Sequence, residues 1–304
     1  MPVLLALLVD VLLGDPPNRF HPTAWMGSLL AFLSRFRPHR HPAAECLYGG
    51  VMLLVGLALV GGIGWLLTTL FTFLPAPLRW LATALVLKTT FSLRGLDRAA
   101  GEVQAALESN NLPQARRSLA WHLVSRDTSQ LTASQVAAAT IESLAENASD
   151  SLVAPLLFYA IGGLPLALAY RLANTADAMF GYHDPDREWF GKIPARLDDV
   201  LNLLPARLTG LLLVVAAGIS GQSARQAWRI MWRDARLTAS PNAGVPMSAM
   251  AGALSVQLEK IGHYRLGAGL NLPQTTDLRR ARRVYAVTAA LAALLFAGLT
   301  LVFH

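Results

Sequence analysis

Three carboxylates in the middle of the chain recur every four residues: Glu142, Glu146 and Asp150. If one α-helix carries all three, this spacing places them along one face, where like charges repel each other. The repulsion is stronger near a membrane, and a divalent cation that prefers oxygen ligands, such as Mg²⁺, would relieve it. The spacing therefore indicates either a magnesium site or an ordinary solvated helix face.

A second group of oxygen-bearing side chains lies between two hydrophobic runs, in residues 174–199. Ionisable residues beside apolar spans are functional candidates by default. The candidate metal ligands of this segment are Asp177, Asp198 and Asp199. The other acids are typical of a hydrated loop around an Asp-Pro turn: Asp184, Asp186 and Glu188.

A third segment, residues 240–248, is rich in Gly, Pro and Asn and leads into a helix predicted at residues 249–252. Backbone N–H groups at a helix start can bind phosphate, so Ser240, Asn242 and Gly244 are candidates for phosphate binding. The chain has no Walker A motif and no GxGxxG after a strand, which makes any nucleotide site unconventional. Its histidines lack metal-ligand spacing, so a zinc centre is not indicated.

The elements that must position these residues are those of a membrane protein. Of the 304 residues, 54% are hydrophobic and 15% are charged, against about 25% charged residues in soluble domains. Residues 46–78 and 284–303 carry no charge, and each run exceeds the length of about 20 residues that a crossing helix needs. Residues 208–224 are also long enough to span. The single cysteine, Cys46, excludes an intramolecular disulfide.

A fourth apolar run, residues 151–170, contains Pro155, Gly162, Gly163 and Pro165, which predict a break. A broken helix is tolerated in a membrane where protein or a water-filled cavity satisfies the freed backbone groups. The motifs on both sides of this run should also face one aqueous compartment. We therefore predict a re-entrant segment or a broken helix that lines a cavity open to the cytoplasm.

Basic residues are concentrated in residues 221–283, which hold ten Lys and Arg against three Asp and Glu. Such a segment is usually cytoplasmic, and it lacks the aromatic pattern of nucleic-acid-binding proteins.

A capping box at Thr132–Gln135 starts a polar helix. The sequence therefore predicts an all-α, polytopic integral membrane protein with broken or re-entrant helices and amphipathic cytoplasmic helices, residues 1–304 forming a single domain in contact with membrane lipid.

A series of short blocks runs along residues 9–267, and the blocks are specific jointly rather than singly. The most distinctive are Leu13–Pro17, His21–Pro22, Glu142–Asp150, Asn174–Tyr182, Asp198–Asp199, Pro205–Arg207, Ser240–Met247 and Leu258–Gly267. In content and order they resemble the CobD/CbiB family of adenosylcobinamide-phosphate synthases.

The resemblance implies a ligase of late cobalamin biosynthesis in the cell inner (cytoplasmic) membrane, with its active site facing the cytoplasm. The implied reaction is ATP-dependent amide formation between the carboxylate of the corrinoid adenosylcobyrate and (R)-1-aminopropan-2-ol phosphate or ethanolamine phosphate. Mg²⁺ and ATP are the expected cofactors. An acyl phosphate is the economical intermediate, because a carboxylate must lose its negative charge before an amine attacks it.

Roles follow for residues of three motif segments, 142–150, 174–199 and 240–267, and for Arg207. The expected catalytic set is Glu142, Glu146, Asn147 and Asp150. The expected metal ligands are Glu146, Asp150, Asp177, Asp198 and Asp199. The expected substrate- and phosphate-binding set is Asn174, Arg207, Ser240, Asn242, Gly244, Lys260 and Arg265. The cations of this last set suit phosphate, and they equally suit the inside-facing charges of membrane topology.

Two other functions fit the same features. A non-catalytic membrane sensor or transporter, similar to the AmpE branch, would also have broken helices and intramembrane acids. A membrane prenyltransferase is suggested by Asn174-x-x-Asp177 and Asp198–Asp199, although the usual paired Asp-rich motifs are missing. The sequence leaves open the number of spans, the preferred amine, homo-oligomerisation and the docking of other late-pathway membrane enzymes.

Overall fold

The computed structural model describes residues 1–38, 41–182 and 187–303. These residues form thirteen α-helices, a 3₁₀ turn at Asn18–Phe20, a π-helical turn at Ser149–Val153 and one short hairpin. The first eight helices are α1 (Pro2–Leu13), α2 (Pro22–Ser34), α3 (Pro42–Phe71), α4 (Ala76–Lys88), α5 (Leu93–Glu108), α6 (Leu112–His122), α7 (Ala133–Ala148) and α8 (Ala154–Phe180). The others are α9 (Lys192–Leu201), α10 (Leu203–Ile219), α11 (Ala224–Asp234), α12 (Gly244–Leu254) and α13 (Thr275–Phe303). The hairpin pairs β1 (Leu258–Lys260) with β2 (Tyr264–Leu266) in antiparallel register.

Three helical stretches are long and apolar enough to cross a membrane: Pro42–Phe71, Ala133–Phe180 and Thr275–Leu301. There are four if the consecutive helices α9 and α10 count as one bent crossing. This confirms the predicted all-α, polytopic membrane fold. The expected run at residues 46–78 is interrupted, because α3 ends at Phe71 and a turn leads to Pro75, the N-cap of α4. Likewise α10 ends at Ile219, before the end of the expected run at 208–224.

The chain divides into two compact units, and the interpretation as a single integral membrane domain stays a prediction. The first unit comprises residues 1–92, 154–202 and the part of α13 from Ala293 onward. The second comprises residues 93–153 and 203–292.

In the first unit, glycines of α3 permit close contact with α8 and with the segment before α9. A Cβ on Gly64 would lie 2.7 Å from the Cα of Pro165, and one on Gly49 would lie 2.1 Å from the carbonyl oxygen of Phe190. Small residues permit this close approach of backbones in membrane proteins. The larger side chains of this unit form a core that includes Met26, Leu30, Leu53, Leu172, Phe180 and Phe190.

Helix α8 is broken in its middle, as its glycines and prolines predict. Gly162 and Gly163 have non-helical backbone angles, and Gly163 adopts φ 63°, a left-handed value that glycine reaches without steric strain. Pro165 follows inside the same helix and removes a backbone N–H from its hydrogen-bond ladder. The predicted break is therefore confirmed, whereas its opening to the cytoplasm stays a prediction.

In the second unit, α12 is the central helix, and all eleven of its residues are buried. It packs against α7, α10 and α11, and α5 and α6 pack against α7 in turn. The helix begins at Gly244 and not at Ala249, so the predicted start was five residues too late. A Cβ at Gly244 would lie 2.1 Å from the carbonyl oxygen of Ala235. The glycine therefore lets the first turn of α12 approach this backbone.

Helix α7 begins with the predicted capping box. Thr132 accepts a hydrogen bond from the Gln135 backbone N–H at 3.3 Å, and the Gln135 side chain accepts one from the Thr132 N–H at 2.8 Å. The helix does not persist to Asp150, because α7 ends at Ala148 and a π-helical turn follows. The wider turn changes the angular spacing of the side chains. The condition under which Glu142, Glu146 and Asp150 would share one regular α-helical face is therefore not met for Asp150.

Candidate functional site

A cavity of about 190 Å³ lies within the second unit, between α7, the hairpin and the segment that precedes α7. Charged and hydroxyl-bearing side chains dominate its lining. The polar members are Ser125, Arg126, Glu142, Ser143, Glu146, Lys260 and Tyr264. Two acids and two bases thus meet at one small opening, and we treat these residues as the candidate site.

Helix α7 supplies the acids, because Glu142 and Glu146 are one turn apart. Glu142 is only 5% exposed. Its Oε2 lies 3.6 Å from a terminal guanidinium nitrogen of Arg126, whereas its Oε1 is buried without a hydrogen-bond partner among the described residues. A buried, unsatisfied carboxylate oxygen is unfavourable, so a bound group that contacts this oxygen would be stabilised.

The hairpin supplies the opposite wall. Lys260 and Tyr264 face each other as the last pair before its tip, and Leu258 and Leu266 are buried at its base. Burial, followed by the negative charges of Glu142 and Glu146, raises the pKa of the Tyr264 hydroxyl far above its ordinary value. This phenol therefore stays protonated. Its O–H donates to Met247 Sδ at 3.7 Å, a weak acceptor that a ligand oxygen could replace.

The size and charge of the cavity limit what it can bind. Its volume of about 190 Å³ is below the roughly 300–1,000 Å³ of pockets that bind whole ligands, so it admits part of a nucleotide or corrinoid and not the whole molecule. Arg126 and Lys260 suit a phosphate, and the two carboxylates beside them suit a cation bound together with it. The cavity therefore has the composition of a site for the reacting end of a larger substrate.

A magnesium ion fits these donors only together with a ligand. In the part of the chain that the structure describes, no three His, Cys, Asp or Glu side chains form a metal-binding group by themselves. Mg²⁺, however, is usually bound through one or two carboxylates plus substrate phosphates. Glu142 and Glu146 supply that number of carboxylates, and the unpaired Oε1 of Glu142 is an oxygen that a cation would satisfy.

The other acids of the predicted metal set are not among the residues that line this cavity. Asp150 is in the π-helical turn, and it is not among the residues that line the cavity. Asp177, Asp198 and Asp199 belong to the first unit. Their roles as metal ligands stay predictions.

Asp198 is held in a polar network of the first unit. Its two carboxylate oxygens accept hydrogen bonds from the side-chain amides of Asn174, at 3.3 Å, and Asn202, at 2.9 Å. The Tyr170 hydroxyl donates to Asn202 Oδ1 at 2.9 Å, and Asp198 is 8% exposed. These contacts give the predicted Asn174 and Asp198 a role in joining α8 to α9. Asp184 and Asp186 lie outside the described residues.

Arg207 contacts the loop before α12. It donates to Asn242 Oδ1 at 2.5 Å and to the Pro241 carbonyl oxygen at 3.1 Å. Ser240 Oγ accepts from the backbone N–H groups of Asn242 and Ala243 at 3.2 and 3.4 Å. The three predicted phosphate-binding residues Arg207, Ser240 and Asn242 thus bind one another in this structure. Their binding of phosphate stays a prediction.

Asn147 and Arg265 also have protein partners. The Asn147 amide donates to the Ser143 carbonyl oxygen at 2.9 Å and Asn147 Oδ1 accepts from Ser151 at 3.2 Å, which ties the end of α7 to the π-helical turn. Arg265 pairs with Glu259 across the hairpin at 2.9 Å. Of the two predicted hairpin cations, Lys260 alone lines the cavity.

Comparison with known proteins gives one consistent family. The sequence profile described as CobD/Cbib protein matches residues 3–294. The chain belongs to the CobD/CbiB family. It is 43% identical over 274 residues to "Cobalamin biosynthesis protein CobD" of Dehalococcoides mccartyi, covering 90% of this chain and 88% of that protein. It is 41% identical over 300 residues to "Probable cobalamin biosynthesis protein CobD" of Methanothermobacter thermautotrophicus, covering 99% and 97%.

A third relative has the family's other name. The chain is 39% identical over 278 residues to "Cobalamin biosynthesis protein CbiB" of Salmonella typhi, covering 91% of this chain and 86% of the relative. No solved structure matches the chain. The resemblance inferred from the sequence blocks is thereby confirmed, and the CobD/CbiB match includes every predicted site residue.

Sequence reasoning missed two members of the CobD/CbiB chain's cavity. Arg126 precedes α7, and Tyr264 lies more than a hundred residues after Glu142. Nothing in their local sequence distinguishes them from ordinary surface and core residues. Tyr264 could have been suspected because it lies in the same block as Lys260.

It also missed a buried ionic cluster in the first unit. The ammonium group of Lys88 lies 2.8 Å from Asp10 Oδ1 and also contacts Asp15. Asp15 further accepts hydrogen bonds from His21 and Ser92. Burial would raise the pKa of Asp15, but these hydrogen bonds outweigh it and hold that pKa well below its ordinary value. The signal was the charge of Lys88 inside an apolar run.

Proposed function

We propose that this CobD/CbiB chain catalyses ATP-dependent formation of an amide bond. The carboxylate comes from adenosylcobyrate, the amine from (R)-1-aminopropan-2-ol phosphate or ethanolamine phosphate, and the product is adenosylcobinamide phosphate. The names of the relatives in cobalamin biosynthesis support the pathway. The observation that carries the proposal is the cavity that brings two carboxylates, Arg126 and Lys260 together.

The reaction needs help with charge, because it brings anionic phosphates towards an anionic carboxylate. Arg126 and Lys260 can bind phosphate oxygens, the guanidinium in bidentate fashion and the ammonium as a point charge. Glu142 and Glu146 would hold Mg²⁺, which when bound neutralises phosphate charge. The protonated Tyr264 hydroxyl can donate to an oxygen that becomes negative. The chain therefore supplies both signs of charge at the point where the acyl group is activated.

The larger parts of the substrates must lie outside this cavity, because of its volume. We propose that the site faces the cytoplasm of the cell inner membrane, where ATP is available. The basic segment at residues 221–283 supports this orientation.

The direct test uses purified protein with adenosylcobyrate, ATP, Mg²⁺ and each amine, with products resolved by mass. We expect adenosylcobinamide phosphate and no product when ATP is omitted. Binding of the corrinoid without product would contradict the proposal and favour the non-catalytic alternative.

Variants then test the site. Glu146→Gln and Lys260→Gln should lower kcat/KM by about 100-fold, the size seen when one preorganised electrostatic contact is lost. Glu146→Gln should also raise the Mg²⁺ concentration needed for half-maximal rate. The matched control is Glu108→Gln, an exposed acid of the second unit that pairs with Arg279, and it should keep wild-type activity. Near-wild-type activity of Glu146→Gln in folded protein would remove the cavity from the mechanism.

A further inference from the structure

A second cavity lies within the first unit, away from every residue given a role above. Its volume is about 390 Å³. It is located where α3 ends and α4 begins, beside the break in α8. Its polar lining includes Thr68, Thr72, Arg79, Thr83 and Tyr159. The cavity is therefore built from elements that the proposed ligase chemistry does not use.

Tyr159 lacks a protein partner for its hydroxyl. The residue is only 7% exposed, and its side chain lines the cavity. Within the described ranges of the chain, no group hydrogen-bonds to the hydroxyl. Buried tyrosine hydroxyls usually have such a partner. The hydroxyl can therefore hydrogen-bond to a group that occupies the cavity.

Arg79 lacks a carboxylate partner. It is the only charged residue between Glu45 and Lys88, and it forms no ion pair with a described side chain. Thr83, one turn further along α4, has no hydrogen-bond partner among the described residues either. A guanidinium and two hydroxyls at one cavity provide hydrogen-bond donors for an anion with several oxygens, such as a phosphate.

The break in α8 lies at the same place. Gly163 and Leu164 line the cavity, and Gly163 is one of the two residues whose backbone leaves the helix. Irregular backbone at membrane depth persists only where protein or a polar cavity satisfies it. The break, which Gly162, Gly163 and Pro165 produce, thus lies beside a cavity whose polar lining can satisfy its backbone groups.

The depth of the cavity selects the source of the phosphate. Helix α3 has 30 residues and is about 45 Å long at 1.5 Å per residue, whereas the hydrocarbon layer is about 30 Å thick. Thr68 and Thr72 lie at its C-terminal end, so the cavity is near a membrane surface and not at the midplane. Trp80 also lines it, and tryptophan is enriched at that level. Apolar side chains complete the lining: Phe71, Leu164 and Leu301.

We propose that this cavity binds the headgroup of an anionic phospholipid. The phosphate contacts Arg79 and the hydroxyls of Thr83 and Tyr159, and the acyl chains lie along the apolar surfaces of α3 and α4. The neighbouring side chains Phe73 and Leu78 are 82% and 54% exposed and available for that contact. The lipid would thus join α3, α4 and the two halves of α8.

The test uses the full chain, delipidated in detergent and then mixed with one added lipid at a time, and measures by native mass spectrometry how much of that lipid the chain retains. Phosphatidylglycerol should be retained and should raise the unfolding temperature, more than phosphatidylcholine does. Arg79→Gln should weaken retention about tenfold or more, as expected for a hydrogen bond to a charged group. Tyr159→Phe should weaken it by a few-fold, because it removes only the hydroxyl and keeps the ring.

Arg98→Gln is the matched control, since Arg98 is an exposed arginine of the second unit that pairs with Glu102. It should retain phosphatidylglycerol as the wild type does. Equal retention of phosphatidylcholine and phosphatidylglycerol would overturn the proposal, as would wild-type retention in both cavity variants. Full stabilisation by inorganic phosphate alone would also overturn it, because the ligand would then be a free anion.

Discussion

Replacing Lys88 by Met should strongly destabilise the first unit. Lys88 is 3% exposed and Asp10 is fully buried, and their charged atoms lie 2.8 Å apart. Methionine retains most of the aliphatic packing of lysine but removes the positive charge. Asp10 would then be a buried carboxylate that has lost the Lys88 cation, and removing one partner of such a pair costs about 3–5 kcal/mol.

Most of this loss should come from Asp10 and not from Asp15. The Asp15 side chain is 31% exposed and retains its contacts with His21 and Ser92, so water and these partners compensate it. For a unit of this size, each kcal/mol shifts the unfolding temperature by about 2–4 °C. Lys88→Met should therefore lower that temperature by roughly 6–20 °C.

The assay is thermal unfolding in one detergent at one scan rate, followed by intrinsic tryptophan fluorescence. The double variant Lys88→Met/Asp10→Leu removes both charges and should recover most of the loss. The control Lys192→Met changes an exposed lysine that contacts the ring of Trp189, and should cost at most about 1 kcal/mol. A shift below about 3 °C for Lys88→Met, or no recovery in the double variant, would refute this reasoning.

Three other changes test separate features. Gly64→Ala should destabilise the chain, because its Cβ would lie 2.7 Å from the Cα of Pro165. The control Gly61→Ala meets nothing within 4 Å and should be neutral or stabilising. Equal unfolding temperatures of the two variants would contradict the close packing of α3 on α8. Thr132→Ala removes the cap of α7 and should cost about 0.5–2 kcal/mol, whereas Thr132→Ser should restore most of it. Folding lowers the pKa of Asp15. Its contribution to the free energy of unfolding is therefore complete when the pH is above the pKa of the unfolded chain, near 3.8, and is lost as the pH falls through the pKa of the folded chain. Unfolding temperatures measured at falling pH should drop more steeply in the wild type than in Asp15→Asn, and parallel curves would contradict this.

Local features of the fold could be predicted from the sequence. The Thr132–Gln135 cap involves residues three apart, and the break in α8 follows from the backbone properties of Gly163 and Pro165. Glu142 and Glu146 were expected on one helix face from their four-residue spacing, and α7 carries both; their binding of Mg²⁺ stays a prediction. Each of these depends on interactions within one or two helical turns, which a pattern in the sequence records.

The missed features depend on contacts between distant parts of the chain. The partner of Asp10 is 78 positions away at Lys88, and neither residue has a neighbour that specifies the other. The position of Asp150 depends on one wider turn, which packing and not propensity determines. The contacts of Arg207 with Asn242 and the Pro241 carbonyl group likewise join residues more than thirty positions apart, and its binding of phosphate stays a prediction.

The two walls of the cavity between α7 and the hairpin are built from different kinds of element. Glu142 and Glu146 belong to a sixteen-residue helix with a capped start, whereas Lys260 and Tyr264 are carried by a hairpin with three residues per strand. Two-stranded hairpins are only marginally stable by themselves, and this one is anchored at its base by Leu258 and Leu266 while Ile261 at its tip is 63% exposed. When an anion enters the cavity, we therefore expect Lys260 on the hairpin to move towards it while Glu142 and Glu146 on α7 keep their positions. Binding of the anion should slow amide hydrogen exchange in residues 258–266 and should change the exchange rates in α7 little.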